Sequence, residues 1–140
     1  KRLLESQKMT EQEAECIRIR DIRRFVESGL GQRMKKAAMK KHLYREQPFV
    51  IQRNASMLDD GWKNETVLVQ GIIDAYFMEE EEIVLVDYKT DRVKRGQEQK
   101  LIDLYHVQLE DYARALERMT GKRVKEKIIY SFTLQKEILL

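Results

Sequence analysis

The chain has 140 residues, 42% hydrophobic and 36% charged, with a net charge of +3 and a pI near 8.9. That is enough apolar content for one domain with its own core, and too little net charge for the total to argue for nucleic acid. No run approaches membrane-spanning length and no signal peptide is visible, while the lone Cys16 excludes an internal disulfide or a cluster held by several cysteines; a reducing, cytoplasmic setting with no membrane fits, and the start at Lys1 rather than Met suggests a piece of something longer.

Thr10-Glu11-Gln12-Glu13 has the pattern of a capping box, in which the Thr10 hydroxyl and the Glu13 carboxylate each satisfy a free backbone donor. A helix is predicted from there, with Ala14, Ile17, Ile22, Phe25 and Val26 as its apolar stripe and Gly29-Leu30-Gly31 as its end. Met9 and Cys16 read as packing residues. From Gly31 to Arg45 the chain carries Arg33, Lys35, Lys36, Lys40, Lys41 and Arg45 with no acidic residue among them. Such a run is a solvated face or a track for a phosphate backbone, and the two readings weigh equally. His42 closes the run and reads as a surface histidine.

Glu46 to Met57 reads as a strand begun by Pro48, a position where the missing N–H is tolerated. Glu46 itself reads either as an ion-pair partner for a nearby Arg or Lys or as a support for a site. The stretch from Ser56 to Thr66, with Asp59-Asp60-Gly61 and Asn64, is a predicted loop or wide turn, and Trp62 within it a packing residue rather than a base-stacking surface.

Two strands follow. Val67 to Phe77 is rich in β-branched and aromatic residues, and Glu79 to Glu82 forms a turn of hairpin length before Ile83-Val84-Leu85-Val86, the most hydrophobic run in the chain. A strand buried on both faces thus delivers Asp87-Tyr88-Lys89-Thr90-Asp91, with Asp87 and Lys89 on one side and Tyr88 on the other. A salt bridge at a strand end would explain a lone Asp-x-Lys. Antiparallel pairing, however, also brings Asp74 beside Asp87. Two carboxylates repel in a low dielectric, and a divalent cation is the usual relief. Oxygen donors without a Cys or His cluster suit Mg²⁺, or Mn²⁺, with the Tyr88 carbonyl as a further ligand. Lys89 is then placed to orient or deprotonate a water, or to stabilise charge on a phosphate.

The next segment, Asp91 to Lys100, is a predicted loop whose Arg92, Lys94 and Arg95 suit an incoming phosphate. Gln97 to Thr120 reads as a helix with Leu101, Leu104, Tyr105, Gln108, Leu109, Tyr112, Leu116 and Met119 on its stripe, His106 off it, and Gly121 as its end. Gln108 and Tyr112, one turn apart, face the same neighbour. Val124 to Leu140 reads as a closing strand around Ile128, Tyr130, Phe132 and Leu134. The order implies an α/β domain with a mixed sheet, a helical part over about 1–41 and an α/β core over about 42–140, with the site at one end of the central strands.

Gly71-Ile72-Ile73-Asp74, Val86-Asp87-Tyr88-Lys89-Thr90 and Gln108-x-x-x-Tyr112 together resemble the RecB-like branch of the PD-(D/E)XK nucleases. Arg45-Glu46-Gln47-Pro48-Phe49 with Asp87 to Asp91 is similar, more narrowly, to the nuclease domain of the AddA-type helicase–nucleases. The resemblance covers residue 10 to the end. It implies a restriction-endonuclease-like core in which Asp74 and Asp87 are metal ligands and Lys89 is the catalytic lysine. Glu46, Thr90, Gln108 and Tyr112 then support the site. It further implies Mg²⁺-dependent cleavage of single-stranded DNA, a helicase region in the same parent chain, an AddB-type second subunit, and a part in processing double-strand breaks for recombinational repair. The family also has a histidine in an upstream helix. Neither His42 nor His106 matches its setting, so that ligand is expected to precede Lys1, leaving the fragment's site incomplete. The competing expectations are a non-catalytic nucleic-acid-binding module with the same fold, against which the intact Asp74, Asp87 and Lys89 argue, and a restriction-like endonuclease.

Overall fold

The computed structural model describes residues 19–54 and 66–140. The predicted capping box at Thr10, the packing of Met9, Ala14, Cys16 and Ile17, and the turn carrying Trp62 lie outside the described residues. Among the described residues two helices come first, α1 (Ile19–Glu27) and α2 (Gly29–Met39), followed by β1 (Leu43–Asn54), β2 (Thr66–Glu79), β3 (Glu82–Lys89), α3 (Glu98–Thr120), β4 (Val124–Ser131) and β5 (Lys136–Leu139). The strands form one sheet in the order β1-β2-β3-β4-β5, antiparallel except for the parallel β3–β4 pair joined by α3. This is the α/β, mixed-sheet architecture the sequence predicts, with β3 at its centre.

The centre of the sheet is buried on both faces, which is why β3 reads as an unbroken apolar run. Leu30, Met34 and Ala37 of α2 pack with Ala75, Phe77, Val84, Val86 and Tyr130 on one face. On the other, Leu101, Leu109 and Leu116 of α3 pack with Ile73, Tyr76, Ile83 and Leu85. Alternation along β3 therefore sends Asp87 and Lys89 to the α3 face and Tyr88 to the α1–α2 face, where its ring meets Phe25 edge-on at 5.4 Å. Along β2 the alternation slips. Val69 and Ile73 pack on the α3 side, but so do Tyr76 and Met78. Ala75 packs on the α1–α2 side, so the slip falls between Ile73 and Ala75, at Asp74.

Several expectations are corrected. The first helix does end just before Gly29-Leu30-Gly31, at Glu27, but those residues also open a second one: Ser28 is its N-cap, its Oγ accepting from Gly31 N at 3.1 Å. A Cβ on Gly31 would collide with the Phe25 and Val26 carbonyls, so glycine here permits the tight α1–α2 corner. Ile22 and Val26, expected on the packing stripe, are exposed, whereas Phe25 is packed. Leu104 and Met119 are likewise exposed on α3. The closing segment is two strands rather than one, because Gln135 turns the chain with φ +54 and Ser131 Oγ accepts from Leu134 N at 3.1 Å. Pro48 lies inside β1, not at its start, and is tolerated there because β1 is an edge strand.

Candidate functional site

The β2–β3 ladder ends at Ala75 and Val86. Asp74 and Asp87 are thus the first residues beyond it, in matching positions where the strands part, 4% and 0% exposed. Asp74 reaches across to β3, its Oδ2 accepting from Tyr88 N at 2.9 Å. The same position on β1 is irregular. Arg45 pairs with Ala75 and Gln47 with Ile73, but Glu46 drops out of the ladder opposite Asp74 with φ +50. A non-glycine residue with positive φ at a break in a ladder is strained, and such breaks re-aim a side chain. Glu46 Oε1 is buried and makes no hydrogen bond among the described residues. Glu46, Asp74 and Asp87 therefore occupy one row across three strands.

Lys89 completes the group. Its Nζ is 2.9 Å from Asp87 Oδ2 and 3.1 Å from Gln108 Oε1, and 3.9 Å from the ring centroid of Tyr105. The strand-end salt bridge is real, but it is shared with a neutral acceptor and an aromatic face brought by α3. Gln108 and Tyr112 both face the sheet as their spacing predicts. Gln108 meets Lys89, whereas Tyr112 is buried and packs edge-on against Phe49 at 5.0 Å. The Phe49 ring in turn lies over Gly71, where a Cβ would come within 2.9 Å of it. A cleft of 310 Å³ opens beside Gly71, Gln108, Asp111 and Tyr112.

Two further residues join the site although the sequence marks them only as stripe and loop. Tyr105 donates from its hydroxyl to Asp91 Oδ2 at 2.8 Å while its ring covers Lys89. A signal for it exists, since Tyr105 stands one turn before Gln108 on the same face. The Thr90 and Asp91 carbonyls are bound by Thr133 Oγ1, at 3.3 and 2.8 Å. Arg92, Lys94 and Arg95 are exposed to differing degrees on the loop that follows.

The basic run is divided differently. Arg33 is engaged in protein contacts: it pairs with Glu79 and Glu126, at 2.8 and 2.6 Å from its Nη2. These two hydrogen-bonded carboxylates push the Arg33 guanidinium above its ordinary range, and the Arg33 bond, with Lys125 assisting, lowers Glu79 to about 2. Lys35, Lys36, Lys40 and Lys41 are exposed. Lys36 and Lys40 line a 750 Å³ groove with His42, Glu80 and Glu81. That groove adjoins the β2–β3 turn, at the opposite end of β3 from Lys89, about 23 Å away for seven strand residues. His42 therefore stands at the far end, and His106 is exposed on α3.

The donor set is oxygen-rich, and its chemistry suits a hard divalent cation. Among the described residues no three His, Cys, Asp or Glu side chains gather around one point. Two protein carboxylates with the remaining positions left to water and substrate is an arrangement Mg²⁺ commonly accepts. Asp74 and Asp87 fit that role. No described helix is long and apolar enough to cross a membrane.

Comparison with known proteins gives the same direction. The sequence profile of the PD-(D/E)XK nuclease superfamily matches residues 2–138. The chain is similar to the A subunit of the ATP-dependent helicase/nuclease of Clostridium novyi, 40% identical over 141 residues, covering 97% of this chain and 11% of the relative. The corresponding protein of Clostridium perfringens strain 13 is 38% identical over 143 residues, with 98% and 11% covered. That of Acetivibrio thermocellus is 46% identical over 129 residues, with 89% and 10% covered. The chain spans about a tenth of the length of these curated relatives.

Proposed function

The chain belongs to the PD-(D/E)XK nuclease superfamily, and from that premise we propose that it is the metal-dependent DNA exonuclease domain of a helicase–nuclease that processes double-strand breaks for recombinational repair. The observation that carries the reading is the convergence of Asp74 and Asp87 from neighbouring strands with Lys89, which Asp87 and Gln108 hold at their side. Asp74 and Asp87, with the Tyr88 carbonyl, would hold Mg²⁺ or Mn²⁺. Such a cation supplies an activated water and charge neutralisation at the scissile phosphate.

The chain's own residues do the rest. Lys89 holds its ammonium group where a phosphate oxygen or an attacking water is met, and Gln108 fixes the ammonium by accepting one of its protons in a hydrogen bond. Glu46 presents a buried oxygen to the same row and supports the water positions around Asp74. Arg92, Lys94 and Arg95 form the positive approach for the strand, and Lys35, Lys36, Lys40 and Lys41 extend the electrostatic track at a distance. The proposed partners are single-stranded DNA, the helicase region of the parent chain and an AddB-type subunit, by inference from the relatives' identity as the A subunit of a helicase/nuclease.

The test is incubation of the chain with linear and circular single-stranded DNA in Mg²⁺ and in EDTA. Loss of the linear strand alone, abolished by EDTA, is the expected result. Cleavage of the circle would instead indicate an endonuclease, and survival of both substrates in Mn²⁺ as well as Mg²⁺ a binding module.

A further inference from the structure

Four groups surround the Lys89 ammonium or its immediate support, and the proposed chemistry uses only two of them. Asp87 and Gln108 bond it directly. Tyr105 does neither acid–base nor metal work, yet its ring centroid is 3.9 Å from Nζ, and its hydroxyl is spent on Asp91 at 2.8 Å. A lysine side chain has four rotatable bonds, and two hydrogen bonds at its tip leave the last of them able to swing. An aromatic face pressed on a partly desolvated ammonium opposes that swing. The face is itself fixed. Tyr105 cannot turn away from Lys89 without breaking its bond to Asp91, and the Asp91 carbonyl is bound by Thr133 Oγ1 at 2.8 Å. The chain of contacts thus runs from the turn after β4, through the start of the 90–97 loop, to α3 and back to Lys89.

We propose that Tyr105 is a positioning residue for Lys89, and that Asp91 acts through Tyr105 by holding its ring in place. The inference rests on the reading of Lys89 as the group that meets the phosphate or its attacking water. Displacements of about 1 Å at a reacting group cost roughly 10²-fold in rate. Tyr105→Leu, which removes ring and hydroxyl, should therefore lower kcat by about 10-fold to 10²-fold while the KM for single-stranded DNA stays within about twofold. Tyr105→Phe keeps the face and loses the tether. It should cost only a few-fold, Asp91→Ala, which removes the acceptor, should cost the same, and the two together should cost no more than either alone.

A readout independent of cleavage comes from NMR of lysine labelled at Cε, assigned with Lys89→Met. Protons beneath an aromatic face are shifted upfield, so the Lys89 ε-protons should resonate upfield of the other lysines in the wild type and in Tyr105→Phe. They should return to the common position in Tyr105→Leu. Two results overturn the proposal: no upfield Lys89 signal in the wild type, or a Tyr105→Leu protein that loses the signal, melts as the wild type does and cuts at an unchanged kcat. Should Tyr105→Leu fail to fold, Tyr105→Phe and Asp91→Ala carry the kinetic test, and unchanged kcat in both sinks the tether. The underlying reading fails separately, if Lys89→Met cuts as fast as the wild type while the upfield signal is present.

Discussion

The two ends of the β2–β3 hairpin hold charge in opposite ways. At the turn end, Glu79 and Glu126 face Arg33 and Lys125, and two negative charges meet two positive ones at partly exposed, hydrogen-bonded contacts. At the other end, Glu46, Asp74 and Asp87 line up across three strands with Lys89 as the ammonium among them, and the two aspartates are buried. The first arrangement closes on itself and contributes to stability. The second sets two buried aspartates beside one lysine where the strands part, a placement that suits a cation or substrate. One hairpin thus carries a structural ion-pair network at its tip and the candidate site at its mouth.

The strongest way to break this contrast is to neutralise the mouth. Asp74→Asn and Asp87→Asn should each lower cleavage by about 10³-fold or more, yet leave the melting temperature unchanged or raised, because repulsion between carboxylates is relieved. A collapse of either variant in calorimetry would make the pair structural, like the tip. Lys89→Met comes next, with an expected loss of about 10²-fold in turnover and retained Mg²⁺ or Mn²⁺ binding by titration. Unchanged turnover would remove the lysine from the chemistry.

At the tip the opposite pattern is expected. Arg33→Met leaves Glu79 and Glu126 facing each other and should cost about 1–2 kcal/mol in denaturant unfolding, reduced from a fully buried case by solvent screening, with turnover untouched. The pH dependence has a definite sign. Glu79 is lowered to about 2 in the fold from an ordinary 4.5, so its contribution is fully present above about 4.5 and is lost as pH falls from there through about 2. In Arg33→Met that acid-range loss should flatten; a titration of stability indistinguishable from the wild type would deny the network its role. The smallest effect concerns the neighbouring lysines. Changing Lys35, Lys36, Lys40 and Lys41 to Gln should reduce the salt slope of single-strand binding by up to roughly 0.7 for each phosphate no longer neutralised. An unaltered slope would leave them as solvated surface.

The mouth is more legible in the sequence than the tip, for a physical reason. Apolar runs ending in acids and a lysine report a buried strand end directly, so Asp74, Asp87 and Lys89 are readable from period and spacing, whereas Gln108 is singled out only by the family resemblance. Arg33 looks like one cation in a basic run because its partners stand far away in sequence on β2 and β4. The break at Glu46 is invisible for another reason: a glutamate with positive φ is held by the surrounding sheet, against its own preference, and no local signal announces it. The single closing strand predicted after Gly121 fails similarly. Gln135 adopts a left-handed turn without the glycine or asparagine that would have marked it.

The parallel pairing of β3 with β4 through α3 also bears on the order in which the molecule is made. Antiparallel β2 and β3 are neighbours joined by a two-residue turn, so Asp74 and Asp87 meet as soon as residues up to 87 have folded. Lys89 has to wait. Gln108 and Tyr105 reach it only when the 23-residue α3 docks, and that docking is secured by β4 crossing back beside β3, a non-local step that folds late. A growing or partly opened chain would thus hold its acids together before its ammonium is set, and local release of α3 should silence cleavage while the β1–β3 meander stays intact. Native-state hydrogen exchange can follow this, with the α3 amides expected to open at lower free energy than those of β2 and β3. Equal protection of all three would mean that the mouth forms and dissolves as one unit with the sheet.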